Sequence, residues 1–220
     1  MAKWTIEIVN GGEQARSYAL LADPPDVTLD GAPVPVLPAV CASFDYVEPG
    51  QARGATFSEA VEALCDWPTE VAPDLVIARA ITFAVNPVAR DLATITHMKT
   101  DGQARGFAKE ITPGASDPDA FAIFTEVDFP PGAAVALGVA KLINSDAPAP
   151  AAVFAARPHV TYQIRPKPIF HLIEGRYHTG KLLDLNGRAR AVIDFTGRDQ
   201  VKATISQTAD GRFEVAYDPA

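Results

Sequence analysis

The sequence predicts an all-β fold, a mainly antiparallel β-sandwich or barrel with at most one or two short helices. Two observations lead to this prediction. Apolar residues recur at every second position along most of the chain, which is the period of a strand with one buried face. Turn sequences rich in Gly, Pro, Asp and Asn separate these stretches, and the chain holds 19 prolines, which are poorly tolerated inside helices.

The alternation runs from one end of the chain to the other. In residues 3–10, KWTIEIVN, the side chains of Trp4, Ile6 and Ile8 share one face of the expected strand. Further strands are expected at SYALLA (17–22), VLPAVCASFDYV (36–47), LVIARAITFAV (75–85), ARDLATITHM (89–98), AFAIFTEVDF (120–129), AVALGVAKLI (134–143), HVTYQI (159–164), PIFHLIE (168–174), RARAVIDFT (188–196), QVKATISQ (200–207) and RFEVAY (212–217). About a dozen short strands joined by turns are typical of a sandwich or barrel.

Residues 56–67, TFSEAVEALCDW, fit either a strand or a helix. The apolar residues at 57, 61, 63, 65 and 67 would share one face of a strand, and those at 57, 60, 61 and 64 one face of a helix. The strand-like stretches around this segment favour the strand. If the chain has a helix, this segment is where we expect it.

A single domain over residues 1–220 is the predicted organisation, since this length fits one large domain. The segment 144–152, NSDAPAPAA, is the best candidate for a linker because it is rich in Ala and Pro. The roughly 70 residues beyond it would bury little apolar surface by themselves. We therefore expect 144–152 to be a long loop within one domain, and residues 3–10 to share a core with the strands after 159.

The charge of the chain bears on its partners. The formal charge is −8 at pH 7, which disfavours binding to the phosphates of nucleic acids. Residues 1–150 carry 9 Lys and Arg against 20 Asp and Glu, whereas residues 151–220 carry 10 against 7. We interpret the weakly basic last third as pairing with the acidic remainder, and an acidic partner is the alternative. No nucleic-acid partner is expected.

The two cysteines, Cys41 and Cys65, are predicted to be buried reduced thiols because both have apolar neighbours.

The N-terminus enters the first alternating stretch without an apolar leader. The longest apolar run, residues 133–140, is too short to span a bilayer. The sequence thus predicts a soluble cytoplasmic protein without a membrane span.

Residues 175–181 match the spacing G-x-x-x-x-G-K of phosphate-binding loops. In such a loop a strand delivers the glycines to a helix N-terminus, and a Ser or Thr after the lysine binds magnesium. Here Leu182 replaces that hydroxyl, and the Asn-Gly turn at 186–187 leaves no room for the helix. We interpret the match as a turn in a β-protein and expect no nucleotide cofactor.

For this segment the sequence instead predicts a β-hairpin with Glu174 and Gly175 in its turn. The hairpin would place His171 opposite His178, with their Cβ atoms about 5 Å apart. Two such imidazoles are a candidate site for a divalent metal such as copper or nickel, completed by His159 or a carboxylate. The alternative is a pair of ordinary histidines on a sheet surface. No other cofactor is expected.

Four further side chains are candidates for ligand binding. Trp67, which precedes Pro68, could be an exposed platform for a glycan or a protein, although a tryptophan at a strand end more often packs in the core. Arg176 belongs to a basic series in the last third of the chain that suits an anion or simply a solvated edge. Tyr177 lies beside it in the predicted hairpin, and His159 is a further nitrogen donor nearby.

The stretches WTIEIVN, SYALLADPP, PHVTYQIRPKPIFHLIEGRYHTGKLLDL and AVIDFTG resemble an uncharacterised group of β-rich single-domain proteins of fungi and some bacteria. The shared pattern is W-T-I-x-I-V-N, then S-Y-A-L with a following P-P, and later V-T-Y-Q-I-x-P. The resemblance covers both ends of the chain and little of the middle. It implies one β-rich domain closed by its two ends, and it implies no activity or catalytic residues.

Two classes of function follow from these observations. The first is a non-catalytic binding or self-assembly module for an unknown small molecule, glycan or protein, with a homo-oligomer as one form; no catalytic sequence motif was found. The second is an enzyme with a pocket inside a sandwich or barrel, where histidines and carboxylates act together, metal-assisted in one version. A perturbed ionisable group in a closed cleft would favour the enzyme, and a flat apolar face would favour the module.

Overall fold

The computed structural model describes residues 3–96, 106–126, 128–129, 134–144 and 147–218. Within these ranges the regular elements are strands and bridges and no helix is present, so the predicted all-β fold is confirmed. A helix with the length and apolar character to cross a membrane is likewise not found there. Cys41 and Cys65 are buried and are not joined in a disulfide, as predicted.

The described residues form eighteen strands. In chain order they are β1 (Lys3–Asn10), β2 (Arg16–Ala22), β3 (Asp26–Leu29), β4 (Ala32–Pro33), β5 (Leu37–Pro38), β6 (Val40–Val47), β7 (Ala52–Asp66), β8 (Ile81–Val85), β9 (Leu92–Thr96), β10 (Gly106–Phe107), β11 (Phe121–Thr125), β12 (Ala136–Ile143), β13 (Ala147–Ala155), β14 (Thr161–Arg165), β15 (Ile169–Glu174), β16 (Ala191–Asp194), β17 (Lys202–Gln207) and β18 (Phe213–Tyr217).

These strands form three sheets. The eight-stranded sheet has the order β18-β17-β1-β7-β12-β13-β5, with β8 beside β7. The six-stranded sheet has the order β10-β9-β11-β14-β3-β4, and the four-stranded sheet has the order β16-β15-β2-β6. Among the described strands, pairing is antiparallel except between β1 and β17 and between β9 and β11.

The eight-stranded sheet packs against both of the others and so has two cores. The first core lies between it and the four-stranded sheet, where the rings of Phe57 and Phe170 have centroids 4.7 Å apart. The second core lies between it and the six-stranded sheet, where the rings of Phe154 and Tyr162 have centroids 4.8 Å apart. The large sheet is therefore a common floor under two smaller sheets, and the molecule has two halves.

The half around the first core curls toward a barrel. β5 and β6 are separated by Ala39 alone, and this nearly continuous stretch pairs first with β13 and then with β2. At the opposite edge the backbone N–H of Asp194, at the end of β16, donates to the hydroxyl of Tyr217 on β18 at 2.8 Å. The eight- and four-stranded sheets thus contact each other at both edges.

The ends of the chain meet as predicted. β1 pairs in parallel with β17, so that Ile6 lies beside Ala203 and Ile8 beside Ile205. All four side chains are buried in the first core.

The segment that fits either a strand or a helix, residues 56–67, lies in β7 up to Asp66, so the strand interpretation is confirmed.

The prediction that residues 144–152 form a long loop is wrong. Residues 145–146 lie outside the described residues, but 147–152 belong to β13, which pairs antiparallel with β12. The prolines suggested a loop because proline cannot donate a backbone hydrogen bond. β5 pairs with β13 at Ala152 and Val153, beyond Pro148 and Pro150, so these prolines need not donate to β5.

Candidate functional site

A cleft lies over the eight-stranded sheet where its two cores meet, and we call it the seam cleft. It has a volume of about 480 Å³. Its floor comes from β1, β7 and β12, and its other walls come from residues 86–88, Asp119 and residues 166–168. Residues 166–168 connect β14 of the six-stranded sheet to β15 of the four-stranded sheet, so the cleft is bordered by the chain that joins the two halves.

The course of β7 between the two cores explains why part of the cleft floor is polar. Phe57 belongs to the first core and Val61 to the second. Glu59 lies halfway between them, where the pairing of β7 with β12 shifts register. At this point neither smaller sheet covers β7, and Glu59 is exposed and lines the seam cleft.

Lys141 is the most unusual side chain in the cleft. It lies on β12 between Val61 of β7 and Ala149 of β13, and only 3% of its surface is exposed. Its Nζ lies 5.5 Å from the ring centroid of Trp4, which itself stacks on Phe195. The ion pairs among the described residues do not include Lys141. Its charge is stabilised by the cation–π contact with Trp4 and by the negative charge of Glu59.

Burial lowers the pKa of Lys141 from 10.5 to about 8, while the negative charge of the nearby Glu59 acts in the opposite direction. An ammonium ion loses hydration when it is buried, and this favours the neutral amine. Burial also raises the pKa of the Cys41 thiol to about 12, so that group stays neutral beside the lysine. The cleft therefore contains an amine that changes charge close to physiological pH.

A second polar group borders the cleft. Lys167 Nζ lies 2.7 Å from Asp26 Oδ1 and 3.4 Å from Asp23 Oδ2. Asp23 Oδ1 lies 2.7 Å from Nε2 of the buried His171. Although burial raises the pKa of Asp23, the hydrogen bond and charge of His171 and the charge of Lys167 outweigh it and hold that pKa below its usual value. Lys167 is thus neutralised by two carboxylates, in contrast to Lys141.

A small cavity of about 10 Å³ lies between Lys141 and the ion pair of Lys167 with Asp23. Its walls include Asp23, Lys141, Pro166 and Lys167, and the last three also line the seam cleft. This volume suits about one water molecule. The Nδ1 atom of His171 is buried and has no hydrogen-bond partner. The arrangement offers a buried amine, a paired imidazole and carboxylate, and room for a proton-carrying water between them.

The predicted hairpin around Glu174 and Gly175 does not form, so its pairing of His171 with His178 is wrong. β15 is instead a central strand, in which His171 lies opposite Leu21 of β2 and Val192 of β16. Both edges of β15 are occupied, and residues after Gly175 cannot pair with it. His171 is buried against Asp23, whereas His178 is exposed.

The described part of the chain contains no group of three or more His, Cys, Asp or Glu side chains that could hold a metal ion. No helix begins after Gly180 in the described residues. Lys181 instead forms an isolated bridge to Val76, and Leu182 forms one to Ala39. The interpretation of the glycine-lysine segment as a turn agrees with this geometry.

The four predicted ligand residues contact different parts of the molecule. Trp67 is partly buried and packs against the second core. His159 is exposed and its Nε2 lies 2.9 Å from Asp128 Oδ1. Arg176 stacks over the exposed ring of Tyr46, and Tyr177 carries Lys181 and Arg188 over its own ring. None of the four lines the seam cleft.

A larger cleft of about 830 Å³ lies beside β3, β4 and β13. Its charged lining residues, Asp30 and Arg157, are both exposed. The hydroxyl of the buried Tyr162 accepts a hydrogen bond from the backbone N–H of Arg157 at 2.7 Å, so this polar group is satisfied. The seam cleft is the stronger candidate because it holds a buried cation whose protonation is perturbed by its surroundings.

Sequence reasoning missed Lys141, although a signal was present. In AVALGVAKLI it is the one charged residue in a strand whose two faces are both apolar. β12 contributes Leu137 and Val139 to the second core and Ala136 and Ala140 to the cluster on the opposite side of the sheet. A lysine in such a strand points into a buried layer on either face, and this alone singles it out.

Comparisons with known proteins identify no relative. No family model matches the chain, and no curated protein or solved structure matches it either. The function is therefore argued from the seam cleft and its chemistry.

Proposed function

We propose that this protein binds a small molecule with an apolar body and an anionic group, and that the seam cleft is the binding site. The observation that carries this proposal is the buried ammonium of Lys141, which lines the cleft and makes no ion pair among the described residues. Buried charges in proteins are normally paired. An anionic ligand would supply the missing partner.

The size and lining of the cleft support a small-molecule ligand. Its volume of about 480 Å³ falls in the range of roughly 300–1,000 Å³ that is usual for ligand pockets. Most of its lining is apolar or aromatic, and a few polar side chains fix the position of a charged group. The apolar part includes Trp4, Val61, Val85, Val88, Pro87 and Pro168.

The charges in the cleft favour an anion at its floor rather than at its entrance. Lys167 also lines the cleft, but Asp23 and Asp26 already neutralise it. Asp119 is acidic and exposed, so it repels an anion from the outer part of the cleft. A ligand would therefore place its anionic group beside Lys141 and its apolar body against Trp4.

The enzyme hypothesis remains the second candidate because the same cleft contains a perturbed amine and lies next to the Asp23–His171 pair. Self-assembly and a cytoplasmic location remain predictions from the sequence. Binding is the first proposal because it requires only the unpaired cation and the apolar walls.

The probe for this proposal is anilinonaphthalene sulfonate, an apolar anion whose fluorescence rises in dry sites. We expect saturable binding to the wild-type protein at pH 7, weakened about tenfold in Lys141→Met, because a buried charge contact contributes about 1.5 kcal/mol. The matched control is Lys109→Met, since Lys109 is exposed and lies outside the cleft. Equal affinities in the Lys141 and Lys109 variants would show that the probe binds elsewhere.

The pH dependence adds a second readout. Because the pKa of Lys141 is about 8, the ammonium is present below pH 8 and is lost above it. We expect the affinity of the wild-type protein to fall between pH 7 and pH 9.5 and that of Lys141→Met to stay constant. The same pH dependence in both proteins would contradict the assignment of Lys141 as the anchor.

A further inference from the structure

We infer that Lys141 is a covalent attachment point for carbonyl ligands: its amine condenses with an aldehyde or an α-keto acid held in the seam cleft to form an imine. This inference rests on the proposed function, because the carbonyl compound must first occupy the cleft. It names the class of ligand, which is a small carbonyl compound, preferably one with an anionic group.

The first support is the position of the amine. The Lys141 side chain is 3% exposed and rises from the floor strand between Val61 and Ala149 into a cleft of about 480 Å³. The Trp4 ring lies on one side of its Nζ. A carbonyl carbon bound over this floor would meet the amine beside the Trp4 ring, where the buried lysine side chain has lost most of its own contact with water. Exclusion of water favours the imine, since its formation releases a water molecule.

The second support is the protonation of the amine. Only a neutral amine carries the lone pair that attacks a carbonyl carbon, and lysines that form imines are commonly desolvated in this way. Burial lowers the pKa of Lys141 to about 8, so about one molecule in ten is neutral at pH 7, compared with fewer than about one in a thousand for an ordinary lysine.

Lys167 provides an internal comparison, because it lines the same cleft. Burial alone would lower the pKa of Lys167. The hydrogen bonds and charges of Asp26 and Asp23 have a larger effect in the opposite direction, so this pKa is raised above the usual 10.5 of a lysine. Its amine is held as a cation in two ion pairs. Of the two lysines among the described residues that line the cleft, Lys141 alone is expected to react at neutral pH.

The chemical step balances without an oxidant or a reductant. The lone pair of Lys141 Nζ forms a C–N bond while the electrons of the carbonyl π bond move to oxygen, and transfer of a proton from nitrogen to that oxygen gives a carbinolamine. The remaining proton on nitrogen, carried to the same oxygen, allows that oxygen to leave as water while the C=N bond forms. Glu59 lines the cleft and its charge acts on Lys141, so its carboxyl group is the one placed to carry these protons.

The test uses glyoxylate, a small anionic aldehyde, with cyanoborohydride, which transfers hydride to an imine and leaves a stable secondary amine. The wild-type protein is treated briefly at pH 7 and its modified residues are located by peptide mapping. We expect Lys141 to be modified at least about tenfold faster than Lys167 and Lys109, and its rate to rise with a midpoint near pH 8. The α-amino group of the chain titrates in the same pH range and is mapped separately.

The variant Lys141→Arg separates this inference from the proposed function, because arginine keeps its charge but has no neutral amine. We expect it to retain sulfonate probe binding and to lose the preferential modification. Modification spread evenly over the lysines of a wild-type protein that binds the probe would overturn the covalent inference and leave the binding proposal standing. A wild-type protein that neither binds the probe nor reacts at Lys141 would overturn both.

Discussion

Lys141→Met is expected to raise the free energy of unfolding at pH 7 by about 2 kcal/mol. The lowering of the Lys141 pKa from 10.5 to about 8 corresponds to about 3 kcal/mol of unfavourable charge burial. The lost contact with the Trp4 ring removes about 1 kcal/mol of stabilisation. Methionine has a similar length and no charge, so it fills the same space. A rise in Tm of about 4–8 °C is the corresponding observation.

The sign of the pH dependence follows from the direction of this shift. Between pH 8 and 10.5 the unfolded chain keeps the proton of Lys141 and the folded chain has lost it, so the stability of the wild-type protein rises with pH in this window. The advantage of Lys141→Met should therefore shrink to below about 1 kcal/mol at pH 10. Denaturant unfolding at pH 7 and pH 10 measures both values.

The matched control is again the exposed Lys109→Met, for which a change of less than about 0.5 kcal/mol is expected at either pH. If Lys141→Met lowers the free energy of unfolding at pH 7, burial of the ammonium does not destabilise the folded protein as the lowered pKa indicates. A stability gain that stayed the same at pH 10 would point to better packing rather than to removal of a buried charge.

Gly138→Ala is expected to lower the free energy of unfolding by about 3 kcal/mol. A Cβ atom at this position of β12 would overlap the carbonyl oxygen of Ala152 and lie 2.9 Å from the Cα atom of Val153. Both contacts are with backbone of β13, which cannot rotate away as a side chain can. The two strands would have to separate next to the register shift between Val139 and Ala140. Thermal unfolding should show a fall in Tm of about 6–12 °C.

Gly187→Ala is the control for Gly138→Ala. Gly187 has a φ of 71° and no atom within 4 Å of an added Cβ. Its replacement is expected to cost about 1 kcal/mol, from backbone conformation alone. Equal effects at the two positions would show that β12 and β13 can move apart easily.

The strands with clear alternation could be predicted from the sequence, and those with an unusual composition could not. Trp4, Ile6 and Ile8 predict β1 because one face of this strand is buried and the other is not. The predicted strand 75–85 begins only at Ile81, because residues 75–80 pack as irregular chain over the outer face of the eight-stranded sheet. The parallel pairing of β1 with β17 depends on contacts between distant residues, which no local pattern contains.

The candidate site shows the same limit. The sequence drew attention to His171 and His178 because they flank a plausible turn, and the pairing failed because β2 and β16 occupy both edges of β15. The partner of His171, Asp23, is 148 residues away. Trp4, Glu59 and Lys141 come from three strands, so their meeting depends on sheet order. Only the charge of Lys141 within an apolar strand could have been noticed beforehand.

The place of the seam cleft between two separate cores has a consequence for how the molecule opens. Each core lies between the eight-stranded sheet and one of the smaller sheets. Units with separate cores commonly unfold locally with different free energies. The halves share the floor strands and the connection through residues 166–168. A ligand seated there touches both units and binds only when both are folded, so it couples their opening. Amide hydrogens of β11 and β15, on opposite sides of the cleft, would then exchange with solvent at more similar rates in the presence of ligand than in its absence.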